Sequence, residues 1–315
     1  MHFKTTILST VVMALVGCNG SDSAPKTTKA SFQVSDAPVE DASEVVVAFD
    51  AIELIHENGT RYFLDVVDTD QSNTYQQVDL LSYQGTDARM ILSDEEIEVG
   101  RYKELIVHTK AGAAYNWVTA NGQHTLKVPS NKLRLGSFET TEQAVQAFTI
   151  EFDLRRALVM RGNTSSNNGY NLKPHGVTIV DNNSAASLKG QVDPSLFTAG
   201  EGCDLEGGNI VYLYQGHGYQ TEQLIDSIDV NDEDYVDGGQ LPEEYVSPFA
   251  SASVADTGSY EFGYLPPGDY TVAFTCNGYD DDPVNYDPDI VIANPSEQIA
   301  ELTLPATSEW IHDFN

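Results

Sequence analysis

Gly258-Ser259-Tyr260-Glu261-Phe262-Gly263-Tyr264-Leu265-Pro266-Pro267-Gly268-Asp269-Tyr270-Thr271-Val272-Ala273-Phe274 decides the fold. The stretch reads as strand, tight turn, strand. Pro266 and Pro267 restrict the turn, and Gly268 permits dihedrals that other residues avoid. Tyr270 then opens a strand whose alternate residues Val272 and Phe274 can face a core.

Working outward, Asn277-Gly278-Tyr279 supplies a following turn, and Ile210-Val211-Tyr212-Leu213-Tyr214 is a strand with two aromatics on one face. Leu188-Lys189-Gly190-Gln191-Val192 opens the module. Its expected span is 187–305, with a tail over 306–315 in which Trp310 serves as a packing anchor. Ten of the sixteen tyrosines lie after residue 200. Their apolar bodies suit strands and cores better than sugar platforms.

The charge is uneven. The chain carries a net −32, of which residues 187–315 contribute −24, with Lys189 the lone basic side chain against 25 acids. Nucleic acid is therefore not an expected partner, because binding it needs basic groups that release counterions. The acids read either as a solubility device or as a calcium site. The densest run, Asp226 to Asp237, offers Asp226, Asp229, Asn231, Glu233 and Asp237 as candidate oxygen ligands. Glycine and Glu are missing from the sixth and twelfth places of a helix-loop-helix calcium loop. A second acidic group is Asp280-Asp281-Asp282 with Asp287 and Asp289. Cys203 and Cys276 have no metal-ligand spacing, so an exported chain is expected to join them as a disulfide.

Residues 30–183 read as a first β-module. Short runs recur: Ser31 to Val34, Val45 to Leu54, Arg61 to Leu64, Leu105 to Val107, Thr125 to Val128, Phe148 to Leu154 and Val177 to Val180. Asn58-Gly59 is a hairpin turn pair. Many short strands at regular spacing predict a sandwich. Thr140 to Ala147 is expected to make two helical turns. Asp36 is expected to accept turn amides, and Asp153, beside Arg155, to form a cross-strand or rim ion pair.

Two resemblances follow from these residues. Val34-Ser35-Asp36-Ala37-Pro38, Val78-Asp79-Leu80-Leu81, Glu98-Val99-Gly100-Arg101-Tyr102, Phe152-Asp153-Leu154-Arg155 and Leu172-Lys173-Pro174, in that order, resemble a family of bacterial lipoprotein domains of unknown function, the DUF4382 type. The resemblance implies an exported prealbumin-like β-sandwich and no reaction. The Gly258–Phe274 stretch with Asn277-Gly278-Tyr279 resembles the prealbumin-like repeat of carboxypeptidase regulatory-like domains. These are modules appended to other exported domains and usually lack catalysis. The fold class expected is all-β, two β-sandwich domains behind an N-terminal lipoprotein signal peptide.

That signal is Met1 to Gly17: one Lys, then an apolar run too short to span a bilayer. Leu15-Val16-Gly17-Cys18 resembles the lipobox of bacterial lipoproteins, which implies acylation of Cys18 and, with Asn19 following, the outer membrane. Residues 18–29 form a polar tether. No Gly-x-Ser-x-Gly elbow exists, and the histidines at 56, 108, 124, 175, 217 and 312 have no metal spacing. The expected role is a non-enzymatic envelope lipoprotein that binds or assembles with envelope proteins or glycans. The runner-up is a calcium-dependent adhesive or carbohydrate-binding lipoprotein. An envelope hydrolase is third, since many carboxylates are present and only spatial proximity defines a catalytic pair.

Overall fold

The computed structural model describes residues 25–37, 42–68, 72–163, 166–203 and 208–315; the signal segment, Cys18 and Pro38 lie outside them. The chain is all-β. In chain order the first strands are β1 (Thr27–Ala37), β2 (Glu44–His56), β3 (Arg61–Asp65), β4 (Gln76–Asp79), β5 (Arg89–Glu98), β6 (Gly100–Thr109) and β7 (Trp117–Thr119). There follow β8 (Gln123–Lys127), β9 (Lys132–Leu135), β10 (Phe138–Thr140), β11 (Val145–Asp153), β12 (Leu158–Asn163), β13 (Ser166–Leu172) and β14 (Val177–Asp181), with one turn of helix, α1 (Leu154–Ala157), after β11. The remaining strands are β15 (Ala186–Gln191), β16 (Ile210–Gln215), β17 (Ala250–Ser253), β18 (Ser259–Leu265), β19 (Gly268–Thr275), β20 (Ile299–Leu304) and β21 (Glu309–Ile311).

Two sheets enclose the first core. One has the order β14-β11-β1-β5; the other runs β10-β6-β2-β7-β8-β13-β12, with β3 and β4 also on β2 and β9 on β6. β1 lies parallel to β11, pairing Phe32 with Phe148 and Val34 with Ile150. Period-2 alternation sends those residues inward, where the Phe32 and Phe148 rings stack at 5.7 Å. Burying each such ring contributes about 1.5–3 kcal/mol. Gln33, Ser35, Thr149, Glu151 and Asp153 consequently lie on the opposite face, where Gln33 and Asp153 reach the second module and Ser35 donates to the Asp87 carbonyl.

That module has sheets β18-β15-β21 and β17-β16-β19-β20, packed around Leu188, Val211, Phe262, Val272 and Phe274. Tyr212 and Tyr214, on the opposite face of β16 from Val211 and Leu213, enter a smaller cluster with Leu224, Ile290 and Ile292. Cys203 is bonded to Cys276, 73 residues apart in sequence with Cα atoms 5.3 Å apart. A loop of that length is worth about 4–5 kcal/mol in the chain-entropy model.

Three local expectations change. Thr140 to Ala147 is not helical: Thr140 ends β10, and β11 begins at Val145, which pairs with Lys29 of β1. Sheet pairing overrides local propensity there, and the side chain of Gln146 accepts the Thr141 amide at 2.7 Å. At the turn between β18 and β19 the left-handed residue is Tyr264, at φ 44°, rather than Gly268. The last ten residues, read as a tail, supply β21 alongside β15 and place Phe314 in the core; Trp310 itself is 40% exposed.

Candidate functional site: the seam between the two modules

The outward face of β1 and β11 is polar because these positions meet another module and not solvent or core. Gln33 Nε2 donates to Thr149 Oγ1 at 2.8 Å and to Tyr264 OH at 3.2 Å, and Tyr264 OH donates to Thr86 O at 2.7 Å. The left-handed backbone of Tyr264, which costs an ordinary L-residue about 1–2 kcal/mol, is held by this contact across the seam. Gly263 lies against Gly85; a Cβ on Gly263 would stand 1.8 Å from the Gly85 carbonyl oxygen.

Asp153 takes a role that differs from a rim ion pair. It is 3% exposed, and its Oδ2 accepts the Ser251 amide at 2.8 Å and the Ser251 hydroxyl at 3.2 Å. Burial raises its pKa, against the pull of the Arg156 charge. Glu151 is pushed well above the carboxylate range by burial and by Asp153, and its Oε2 is buried without a partner. Asp36 also departs from expectation. Among the described residues neither of its buried oxygens makes a well-formed hydrogen bond; burial, then Glu151 and Asp153, hold its pKa well above normal against the pull of the Leu154 amide. Buried carboxylates in this setting stay neutral because the charged form is poorly solvated.

The turn after β11 and the segment after β13 supply the basic side. Arg155 Nη2 donates to Asp281 at 3.2 Å, with side-chain exposures of 11% and 1%. Arg156 Nη1 donates to Phe249 O and Nη2 to His175 Nε2 at 3.1 Å. Burial, then the Arg156 charge, lowers the His175 pKa, so the ring is suited to accept that bond as neutral imidazole. Lys173 Nζ pairs with Asp232, and His175 Nδ1 lies 3.7 Å from Asp229 Oδ2. The segments that carry the DUF4382-type resemblance are thus the ones that reach across.

The candidate metal residues do not converge. Asp226 is fully buried, with its pKa raised to about 8 by burial and by Asp281. Asp229 faces His175 and accepts the Asn231 amide at 3.1 Å. Asp237 accepts the Gly239 amide at 2.9 Å, and Glu233 is exposed. Among the described residues no three His, Cys, Asp or Glu stand together as a metal-binding group.

Three further histidines have structural partners: His108 Nε2 lies 3.1 Å from Glu53, His124 Nε2 meets Ala120 O at 3.0 Å and His217 Nε2 meets Leu302 O at 2.9 Å. Sequence reasoning missed Arg156, His175, Asp232 and Ser251 because a tie between modules leaves no periodic signal. The one available clue was a basic cluster, Arg155-Arg156 with Lys173 and His175, in a chain whose second half is acidic. No helix of the described residues is long and apolar enough to cross a membrane.

No curated protein matches this chain. Among solved structures, the Bacillus anthracis TIE protein is 12% identical, with 91% of this chain and 34% of that one covered and a TM-score of 0.22. The chain therefore spans about a third of that relative's length. The minor pilin of Streptococcus agalactiae is 10% identical over 90% of this chain and 94% of its own, at a TM-score of 0.21. BcpA, the major pilin subunit of Bacillus cereus, is 9% identical over 92% and 99%, at 0.19. Superpositions this loose carry no argument about role. Residues 27–174, which include the Arg155, Arg156 and Lys173 side of the seam, match the family described as Domain of unknown function (DUF4382).

Proposed function

We propose that the chain is a non-enzymatic envelope lipoprotein that presents two docked β-modules, as one unit, to protein or glycan partners in the envelope. The observation that carries this reading is the use of the charged groups at the seam. Arg155, Arg156 and Lys173 meet Asp281, the Phe249 carbonyl and Asp232, and Asp153 holds Ser251. Groups held in such pairings position one module on the other and are not available as acid, base or nucleophile. The lipobox ending at Cys18 supplies the tether, since several acyl chains on one cysteine exceed the two-signal threshold for stable anchoring. The loops of the second module face outward with a strong negative charge, which disfavours wrong partners through repulsion.

The test combines anchoring and binding in the producing cells. Alkyne-palmitate should label the wild type in the membrane fraction, and Cys18→Ser should lose both label and membrane association. The labelled chain should cross-link to a defined envelope protein or bind isolated envelope glycans. An unlabelled, freely soluble wild type would remove the anchor from the proposal. A labelled chain that captures neither class of partner would remove the presenting role.

A further inference from the structure

A cleft of about 430 Å³ opens across the seam, with Arg156, His175 and Thr178 on the side of the first module and Gln215, Ser247 and Phe249 on the side of the second. Ligand clefts favour such boundaries and have volumes of this order. The charge of this one runs against that of the module forming half of it. Residues 187–315 carry 25 acids and one Lys, yet no Asp or Glu lines the cleft, and its one permanent charge is the Arg156 guanidinium. Arg156 is 8% exposed. A guanidinium has five N–H donors, and two of them are used, on the Phe249 carbonyl and on His175 Nε2. Its Nε is buried without a partner, and no carboxylate of the described residues forms an ion pair with it. The acids that act on it through space are Asp153, Asp281 and Asp229. Each is engaged elsewhere: Asp281 with Arg155, Asp229 with His175 and Asp153 with Ser251. A buried cation with no counter-ion in contact is costly, and an incoming anion would relieve that cost.

The rest of the lining is of another kind. The Thr178 and Ser247 hydroxyls and the side-chain amide of Gln215 face the cleft without a hydrogen-bond partner among the described residues. Pro174 and Phe249 supply apolar wall. We propose that the cleft binds a carboxylate-bearing glycan, with Arg156 as the anchor for the carboxylate and Thr178, Ser247 and Gln215 as partners for ring hydroxyls. A guanidinium meets a carboxylate through charge-assisted bonds, the strong class of hydrogen bond. Hydroxyls and amides both donate and accept, as sugar hydroxyls require, and the walls suit the carbon faces of a sugar ring. A bare inorganic anion would leave Thr178, Ser247 and Gln215 unused. The Phe249 carbonyl and His175 fix the guanidinium before the ligand arrives, which lowers the ordering cost of binding. Exposed acids of the second module farther than about 8 Å are screened at physiological ionic strength. The site rests on the presenting reading, of whose two partner classes it selects the glycan, and it exists only while the modules are docked.

The experiment uses the full chain in detergent with trigalacturonate and its methyl ester, two probes that share a shape and differ in charge. Saturation-transfer NMR with titration should show the acid binding and the ester weaker by about tenfold or more, the loss of one charge-assisted bond. Arg156→Lys, which keeps the charge and loses the fork, should weaken the acid by a similar factor. Ser247→Phe fills the cleft from the other module without touching a seam tie, and it should abolish binding at an unchanged melting temperature. Equal binding of acid and ester overturns the proposal, as does binding of neither, or binding undiminished in Ser247→Phe. If Arg156→Lys does not fold, the ester and Ser247→Phe decide. A short peptide with a free C-terminal carboxylate that binds where trigalacturonate does not would overturn the glycan assignment and give the cleft to a peptide terminus. Failure here leaves palmitate labelling and capture of an envelope protein untouched, so it is distinguishable from failure of the presenting role.

Discussion

At the residue scale, Asp153 and Asp226 show that a carboxylate's neighbours set its chemistry. Asp153 is buried and is the acceptor for the Ser251 amide across the seam. Asp153→Ala leaves that buried donor unmatched, so it should destabilise by about 1–3 kcal/mol. Asp153→Asn keeps an acceptor oxygen and should cost distinctly less. Urea unfolding of the two variants measures the difference, and equal losses would mean that the bond to Ser251 contributes nothing. Asp226 gives a pH dependence of fixed sign. Its pKa rises from the usual 3.8 to about 8 in the folded chain, so the folded state binds more protons between those values. The stabilisation is therefore complete below about pH 4 and is lost as pH rises through about 8. Asp36, Glu151 and Asp153 are shifted in the same direction. In EDTA the chain should melt at a lower temperature at pH 9 than at pH 6, and Asp226→Asn should shrink that gap. A gap unchanged in the variant would assign the alkaline loss to other groups.

At the scale of elements, legibility followed periodicity. The alternation of β11, with Phe148, Ile150 and Phe152 inward, was readable because strand period and burial agree, and so was the Asn58-Gly59 turn, where Gly59 has φ 95°. The misread segment, Thr140 to Ala147, is decided by a partner 116 residues away, since Val145 pairs with Lys29. Local propensity carries no information about that pairing. The outward polar face of β1 and β11 was visible in sequence, but its meaning was not: Gln33 and Asp153 look like solvent-facing residues until the second module is placed over them. The turn glycines were attributed to backbone freedom, whereas Gly263 matters for proximity. Its Cα leaves no room for a side chain against Gly85 O. Gly263→Val should therefore push β18 away from the first module and break the Tyr264 contact with Thr86. Cleavage by a protease in the segment around 182–187 should become much faster than in wild type. Equal cleavage rates would show that the close approach does not hold the seam shut.

At the scale of the molecule, the question is whether two modules unfold as one. Interfaces between domains of a chain behave like transient protein contacts unless they are large or strongly tied. Here the ties are charged and mostly buried: Arg155 with Asp281 and Lys173 with Asp232, where neither acid side chain exceeds 2% exposure. Removing one partner of a buried pair costs about 3–5 kcal/mol because the other charge is stranded. Neutralising both sides is less damaging, which separates the loss of a tie from the burial of a bare charge. The single variants Arg155→Met and Lys173→Met should each lower the midpoint of unfolding. Paired with Asp232→Leu, Lys173→Met should recover most of its loss, whereas Asp281→Leu should not rescue Arg155→Met, because Asp281 also accepts the buried Tyr212 hydroxyl and the Ser227 amide. The combined variant lacking Arg155, Arg156 and Lys173 removes every tie of this kind named at the seam. It should convert one cooperative unfolding transition into two, one for each core, and increase the radius of gyration as the modules separate. Small-angle scattering and calorimetry on the same samples would decide it. Two transitions already present in the wild type would mean that the modules are merely adjacent. A single transition retained in the triple variant would place the coupling in the polar face of β1 and β11, with Tyr264 and Gly263 holding the modules together without the arginines.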